Sequence, residues 1–329
     1  MPTGYVAPAN NGQTAQGALN YAESYQRALD QMFPYVLNFG ALYNTPNNGR
    51  YRWVNAKTIQ IPQISTTGRV NANRDSISLA QRNYDNAWED KTLTNERKWS
   101  TLVHPMDIIQ TDMATTIANI TQVFNQEQKF PEMDAYTISK IFQDWSALKS
   151  PNTGETMEAD TTVLTTANVL HVFDELMLKM DNARVPANGR ILYVTHEVKK
   201  LLNNAQIDAN NTLSRSINVE SGPNAVDRRV SRLDEVQIVG VPATLMRSLY
   251  NFTQGYVLVP SASQINMMLI HPLAVITPVS YTFSRLDAPA AGSEGKYIYY
   301  EESFEDVFIL NNKCDAIQFN ITPGQSSGT

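Results

Sequence analysis

Apolar positions first recur at helical spacing, at Ala18, Leu19, Ala22, Tyr25, Leu29, Met32 and Phe33. This predicts a short amphipathic helix, stopped by Pro34. Residues 1–14 carry no such pattern and are expected to be disordered. After the turn-forming stretch "GALYNTPNNGR" the period changes to two. Ile59, Ile61 and, past Pro62, Ile64 alternate with polar residues in "KTIQIPQI". The proline makes this an edge or irregular strand. A polar stretch, "STTGRVNANRDSISLAQRNYDNA", separates it from "WEDKTLTNERKW", whose Thr, Leu and Trp favour extended structure. Two strand-like arms thus flank a long tip with almost nothing to bury.

Helical spacing then returns. Ile109, Met113, Ile117, Ile120 and Phe124 form one stripe of a long helix over "HPMDIIQTDMATTIANITQVFNQEQ". A second run follows, interrupted near Phe130 and Pro131, with Ile138, Ile141, Phe142, Trp145 and Leu148 on one face. Pro131 suits a first helical turn, and Glu132 and Asp134 suit its positive end. "SPNTGETMEAD" reads as a loop and domain junction. Val169, Leu170, Phe173, Leu176, Met177 and Met180 define another helix, with a threonine cap from Thr165–Thr166. "ILYVT" reads as a buried strand, and "HEVKKLL" as a helix capped by Thr195. Helix, strand and helix in succession argue for an α/β layer. The last third is rich in strands: "VQIVGVP", "GYVLVP", "INMMLIHP", "AVITPVSYTF" and "KYIYYEESFEDVFILNNKCDAIQFNIT".

Composition narrows the function. The 329 residues suffice for two domains or one elaborated one, and 42% hydrophobic with 18% charged residues is a globular balance. The net charge of −6 argues against sequence-independent nucleic-acid binding, which needs many cationic side chains on phosphates. No apolar run approaches the ~18 residues of a membrane span, and the N-terminus lacks the regions of a signal peptide. The single cysteine, Cys314, excludes an internal disulfide framework. Charge is uneven along the chain. Residues 50–100 hold nine Lys or Arg against five Asp or Glu, an excess of +4 that leaves −10 for the remainder. Residues 287–306 hold six acids against one lysine. A basic arm and an acidic strand region in one chain point to copies meeting each other; two solvated faces are the plainer reading.

The motifs of catalysis are missing or broken. His104, His171, His196 and His271 are scattered, and "HEVKK" lacks the second histidine of a zinc helix. In "AAGSEGKY", Ala290 replaces the first glycine of a phosphate-binding loop and Tyr297 its metal-binding hydroxyl. No Gly-x-Ser-x-Gly elbow occurs, and Cys314 has no histidine nearby in sequence. No enzymatic role, cofactor or metal site is expected.

The stretch from "AKTIQIPQISTTGRVN" through "WEDKTLTNERKWSTLVHPMDIIQTDMATTIANITQVFNQEQKFPEMDAYTISKI", with "RVPANGRILYVTHEVKKLL" and "INMMLIHPLAVITPV" in order after it, resembles major capsid proteins of tailed bacteriophages. The resemblance covers residues 15–320. It implies an α+β, Hong Kong 97-type shell fold: an N-terminal arm (1–50), an extended E-loop hairpin (51–104), a peripheral domain with a long spine helix (105–158 and 266–320) and an α/β axial domain (159–265), with a flexible tail (321–329). It implies hexamers and pentamers closing into an icosahedral shell around packaged double-stranded DNA, in a virion assembled in the host cytoplasm, without contact to a membrane. Arg69, Arg74, Arg82 and Trp88 of the arm are then the inter-subunit clasp. Glu294, Glu301, Glu302, Glu305 and Asp306 are its acidic acceptor. Exposed ion pairs contribute little singly, ~0.2–1 kcal/mol, but a shell repeats them in every subunit.

An acidic balance also suits a shell that holds DNA without gripping it. Fewer than sixty residues precede the hairpin, too few for a built-in scaffolding domain, so a separate scaffolding protein is expected beside a portal protein. No lysine lies between Ile64 and Asp90, so the tip lacks the nucleophile for lysine–asparagine cross-links. An encapsulin-type compartment shell shares the same fold and remains an alternative. An oligomeric hydrolase and a tail or adhesin protein are the readings from other classes, the latter set against two long consecutive helices.

Overall fold

The computed structural model describes residues 35–69, 82–111, 116–205 and 232–324. Residues 1–14, the helix expected over 18–33, Arg74, Met113 and residues 325–329 lie outside them.

The described chain opens with a short helix, α1 (Gly40–Tyr43), and a 3-10 turn capped by Thr45. Strand β1 (Arg52–Asn55) turns into β2 (Thr58–Thr66), which pairs antiparallel with β3 (Tyr84–Thr92) over nine residue pairs. Pro62 lies past the end of β1, where β2 is bordered by β3 alone. Its missing N–H is tolerated on that open edge. The returning arm is two strands, because after Leu93–Asn95 the chain leaves the hairpin as β4 (Glu96–Val103) for another sheet.

The long helix differs from its expected form at both places where the sequence is awkward. Helix α2 (Pro105–Gln110) is capped by His104, whose Nδ1 accepts from the Met106 amide at 3.1 Å, and it buries none of its residues. Ile109 is 70% exposed, so the expected stripe does not begin there. A new helix, α3 (Ile117–Phe124), starts behind Thr116, whose hydroxyl accepts from the Asn119 amide. It passes without a break through a π-turn (Asn125–Lys129) into α4 (Phe130–Ala147). Pro131 explains the π-turn. A proline ring clashes with the carbonyl four residues back, and a widened turn relieves the clash. The Phe130 amide accordingly bonds five residues back, to the Asn125 carbonyl. The interruption read from Phe130 and Pro131 is thus a wider turn of one continuous helix.

Helix α5 (Val169–Asn182) follows, with Val169, Val172, Phe173, Leu176 and Met180 buried. Its cap position is Asn168, whose side chain accepts from the Thr165 amide, so the expected threonine cap is replaced by an asparagine turn. Strand β5 (Ile191–Thr195) leads directly into α6 (His196–Ala205), with Thr195 accepting from the Val198 amide as expected. The remaining elements are β6 (Arg232–Leu233), β7 (Val236–Val241), β8 (Tyr250–Asn251), β9 (Val257–Leu258), β10 (Gln264–Ile270), β11 (Val275–Ile276), β12 (Val279–Asp287), β13 (Tyr297–Glu305), β14 (Phe308–Ile309) and β15 (Ile317–Thr322).

Besides the hairpin sheet β1-β2-β3 and the two-stranded pairs β8–β9 and β11–β14, two sheets hold the remaining described strands. The larger has the order β15-β10-β5-β7-β6, with β5 in the middle, parallel to β7 and antiparallel to β10. All five residues of β5 are buried, which requires cover on both faces. The smaller has the order β12-β13-β4. The boundary expected between residues 265 and 266 falls inside β10, and β15 joins β10 in the larger sheet. Sheet membership therefore moves residues 266–270 and 317–320 to the α/β layer, and β15 runs two residues into the expected tail.

The main core unites α4, α5 and the larger sheet. Trp145 of α4 lies edge-on to Phe319 of β15, and its indole N–H donates to the Cys314 carbonyl at 3.1 Å. A second, smaller core sits at the root of the hairpin, where Ile59, Ile61 and Leu93 meet Ile276, Phe304, Phe308 and Leu310. The segment before α1 is tied to α4 by Asp134. Its carboxylate, fully buried, accepts from Tyr35 Oη at 2.5 Å, from Asn38 N and Nδ2 at 2.9 and 2.8 Å, and from Phe39 N at 3.2 Å.

Two substitutions test this packing. Leu192→Ala, at the centre of the larger sheet, is expected to lose about 2–4 kcal/mol in denaturant unfolding, the range of buried leucine truncations. Asp134→Ala leaves the buried Phe39 amide without an acceptor, at about 1–3 kcal/mol, and frees the half-buried Tyr35 and Asn38 donors, which water can reach. That loss is expected to expose the chain around residues 35–39 to protease in the folded protein, which Leu192→Ala does not do.

Candidate functional site

The hairpin is built in two halves. Near its root Ile59 and Ile61 point into the smaller core. Beyond Gln63 its described residues are exposed. Residues directly opposite in an antiparallel pair share a face, and alternate residues share it too. Pro62 faces Trp88, Ile64 faces Asn86 and Thr66 faces Tyr84, so Pro62, Ile64, Tyr84 and Trp88 make one apolar face. Ile64 is 73% exposed and Tyr84 59%. Arg52 lies over the Trp88 ring at 4.0 Å and donates to Gln60 Oε1, which stiffens the inner end of that face. On the opposite face Glu89 binds Lys91 at 2.6 Å and accepts from Gln63, while Lys91 reaches Asn311 at 3.0 Å.

The residues of the expected clasp are placed unevenly. Arg69 and Arg82 are exposed at the far end of the described hairpin, and Trp88 lies nearer the root. Arg82 already contacts Asp85 at 3.1 Å within the chain. The expected acceptor residues are more divided still. Glu294, in the left-handed region with φ 51°, sits at the exposed β12–β13 turn beside Lys296. Glu301 is engaged by Lys129 at 3.0 Å and by the Tyr299 hydroxyl at 2.8 Å. Glu302 accepts from the Tyr300 hydroxyl at 2.6 Å. Asp306 is withdrawn from any acceptor surface. It is 2% exposed and accepts from the Tyr136 hydroxyl, Thr94 and the Val307 amide. Those bonds bind the root of the hairpin to α4, a structural role that a charge count in sequence could not show.

Glu305 differs from these. It lines a groove of about 720 Å³ between the π-turn and the smaller sheet, with Arg97, Lys129, Glu132 and Glu301 around it. Burial pushes its carboxyl above the usual glutamate range; Lys129 opposes this, and Asp306 and Glu132 add to it. Arg97 is held by Glu132 at 2.6 Å and by the Phe252 carbonyl at 2.6 Å. Trp99 of β4 stacks on Phe124 of α3, centroids 3.9 Å apart, and closes one end. Among the described residues no group of three His, Cys, Asp or Glu side chains converges as a metal site, and no helix is long and apolar enough to cross a membrane. Burial pushes the Cys314 thiol up to about 11, which disfavours the thiolate.

Three apolar surfaces escaped the reading of the sequence. One is the hairpin face just described, whose signal was the alternation in "PQIST" and "YDNAW". The second joins Leu102, Met106 and Ile109, each more than half exposed, at the junction of β4 and α2. The third is the outer side of β12, with Tyr281 and Phe283.

No protein-family model matches the chain, and no curated protein matches it by sequence. Solved structures do match it. The mature capsid of bacteriophage PhiM1 is 14% identical with a TM-score of 0.63, over 92% of this chain and 91% of that one. A chain of Mycobacterium phage Che8 is 12% identical with a TM-score of 0.61, over 91% and 96%. The capsid of an empty GTA particle is 11% identical with a TM-score of 0.56, over 92% and 95%. Identities this low carry the fold and leave the function to be argued from the surfaces. The chain has the fold of phage capsid subunits. It is the α+β, Hong Kong 97-type fold that the resemblance in sequence implied.

The raised Glu305 carboxyl gives a test with a definite sign. Its folded state holds the proton more tightly than the unfolded one, so its contribution to stability is complete below the unfolded value and is lost as pH rises through the folded one. Glu305→Gln is therefore expected to melt above the unaltered subunit near pH 7. The gap should close as pH falls toward about 4. A constant gap across that window would show that Glu305 ionises as freely folded as unfolded.

Proposed function

We propose that this chain is the major capsid protein of a tailed-phage-type particle. It assembles through contacts with further copies of itself into hexamers and pentamers of an icosahedral shell around double-stranded DNA. The observation that carries this reading is the match to capsid structures over nine-tenths of both chains. The physical support is the hairpin. An isolated two-stranded ribbon is marginal in water, and this one exposes Ile64, Tyr84 and Trp88 on a single face. A neighbouring copy supplies the missing cover, and Leu102, Met106 and Ile109 offer an apolar surface that also lacks one.

Charge orients that contact. Arg69 and Arg82, exposed at the far end of the described hairpin, and Arg74 of the segment between them meet the acidic groove of the next copy, which Glu301, Glu302 and Glu305 line, with Glu294 at the β12–β13 turn as a further acceptor. Because arm and groove are different surfaces, the contact is head-to-tail and repeats around a ring. The protein's role is structural, not catalytic, and its place is the virion. A scaffolding protein and a portal protein are the further partners of this reading.

Electron microscopy of the purified protein decides the matter: closed shells of uniform diameter are expected, and a population of monomers alone would refute the proposal. Changing Arg69, Arg74 and Arg82 together to Ser is expected to leave the melting of the free subunit unchanged while lowering shell yield. The deficit should show as a shift of assembly to higher protein concentration, of the size that ~0.2–1 kcal/mol per pair allows. A subunit that melts early instead would mean that the arginines act within their own chain.

A further inference from the structure

Strand β12 is an edge. It pairs with β13 on one side, and among the described residues no strand borders the other. Eight of its nine residues are exposed. Folded proteins guard such edges with lysine, proline, a covering element or short length, because unpaired N–H and C=O groups recruit other strands. The sequence "VSYTFSRLD" has neither lysine nor proline, and nine residues exceeds the usual strand of about 5–6. Its one irregularity, between Val279 and Tyr281, lies at the start. Among the described residues the hairpin root touches only its start, where Ser280 donates to the Ala56 carbonyl, and its one charged pair, Arg285 with Asp287, lies at its end. Tyr281 and Phe283 stand on one face with their rings parallel to within 4° and 6.3 Å apart, and Tyr300 of β13 lies 6.2 Å from Phe283. Val279 and Leu286 are about half exposed, at 49% and 53%.

We propose that β12 pairs with β12 of a second copy, antiparallel about a two-fold axis through Phe283, and joins two three-stranded sheets into one of six strands. The inference rests on the shell reading, since it assigns one of that shell's two-fold contacts. The strand is complementary to itself in this register. Phe283 is its middle residue, so this alignment alone pairs all nine positions. It sets Phe283 against Phe283, Thr282 against Ser284, and Tyr281 against Arg285 twice over. Aromatic rings against each other and a guanidinium over a tyrosine ring are favourable cross-strand neighbours, and no like charges face each other. Centring the pair on Arg285 instead would oppose two arginines, set Phe283 against Asp287, and leave Val279 to Thr282, Tyr281 among them, unpaired. The backbone groups supply the affinity and the alternating side chains the register, as in other strand additions.

Cysteine substitution tests the register directly. Cys314 is buried, so a cysteine placed at 283 is the accessible thiol. Residues directly opposite across an antiparallel pair bring their Cβ atoms to about 4.5–5.5 Å, within reach of a disulfide after small adjustment. In Arg285→Cys the two thiols are displaced by four residues along the strand, about 13 Å, and out of reach. Assembled Phe283→Cys protein, oxidised with copper–phenanthroline and run without reductant, is expected to give at least about tenfold more dimer than Arg285→Cys. Phe283 is already partly exposed, and unchanged melting of both reduced variants guards against misfolding. Closed shells with no Phe283→Cys dimer, equal cross-linking of both variants, or cross-links to a different protein would overturn the pairing and leave the shell reading intact. Phe283→Cys dimers from a protein that never forms shells would do the reverse.

Discussion

One helix has to serve two sheets, and the rest of the molecule is arranged around that demand. From Ile117 to Ala147 the chain is helical without a break, about 45 Å at 1.5 Å per residue. Its first part stacks Phe124 on Trp99 of the smaller sheet, and its last part drives Trp145 against Phe319 of the larger. A helix this long is not held by propensity alone. It is held because each end packs an aromatic ring on a different layer, Phe124 half-buried on Trp99 and Trp145 fully buried against Phe319. The π-turn between them then has a mechanical sense, since it adjusts the facing of one half to the other without cutting the hydrogen-bonded rod. Asp134, just past that turn, adds the segment before α1 to the same helix through four donors.

The hairpin follows a different logic. Its root is part of the folded subunit, through Ile59 and Ile61 in the smaller core and through Asp306, which binds Thr94 and Tyr136 together. Among the described residues its outer half has no such tie. Folding of the subunit and placement of the arm are therefore separable: root residues set whether the chain folds, and outer residues set what it meets. The same separation holds at β12, whose inner side is paired and whose outer side is open. Surfaces like these are hazards in a solitary protein. In one that closes on copies of itself they are the means of association.

What could be read from the sequence follows from how local each signal is. "ILYVT" announced a buried central strand because five apolar or small residues in a row leave no polar face, and Thr195 announced the start of α6 because a cap bond spans three residues. The arm was legible for the same reason, as polar chain with nothing to bury. Nothing local tells that β10 pairs with β5, more than seventy residues away in the chain, so the domain boundary was drawn through a strand. Asp306 was misplaced for a related cause. Counted with its neighbours it is one more surface acid, and only the folded chain brings Tyr136, Thr94 and a backbone amide to it. The stripe that began at Ile109 failed because spacing cannot show a break at Thr111, where one helix stops before Thr116 caps the next.

These placements also decide how charge and apolar surface divide the work of association. The segmental imbalance, basic arm against acidic remainder, survives in the fold only in part. Lys91 with Glu89, Lys129 with Glu301 and Arg97 with Glu132 are satisfied within one chain. Of the expected clasp and acceptor, Arg82 and Glu294 are likewise engaged within the chain, while Arg69 is exposed and Glu305 lines its groove. Exposed pairs of that kind set orientation and rate of encounter more than strength. Strength has to come from surface that water leaves, at about 25 cal/mol per Å² of apolar area. The exposed Pro62, Ile64, Tyr84 and Trp88 face and the Tyr281–Phe283 face are where this chain carries it. On the proposed shell reading, a neighbour would be recognised by a sparse pattern of charge and then held by aromatic and aliphatic contact, so that a wrongly docked copy, with charges unmatched and rings still wet, would dissociate before a ring closed.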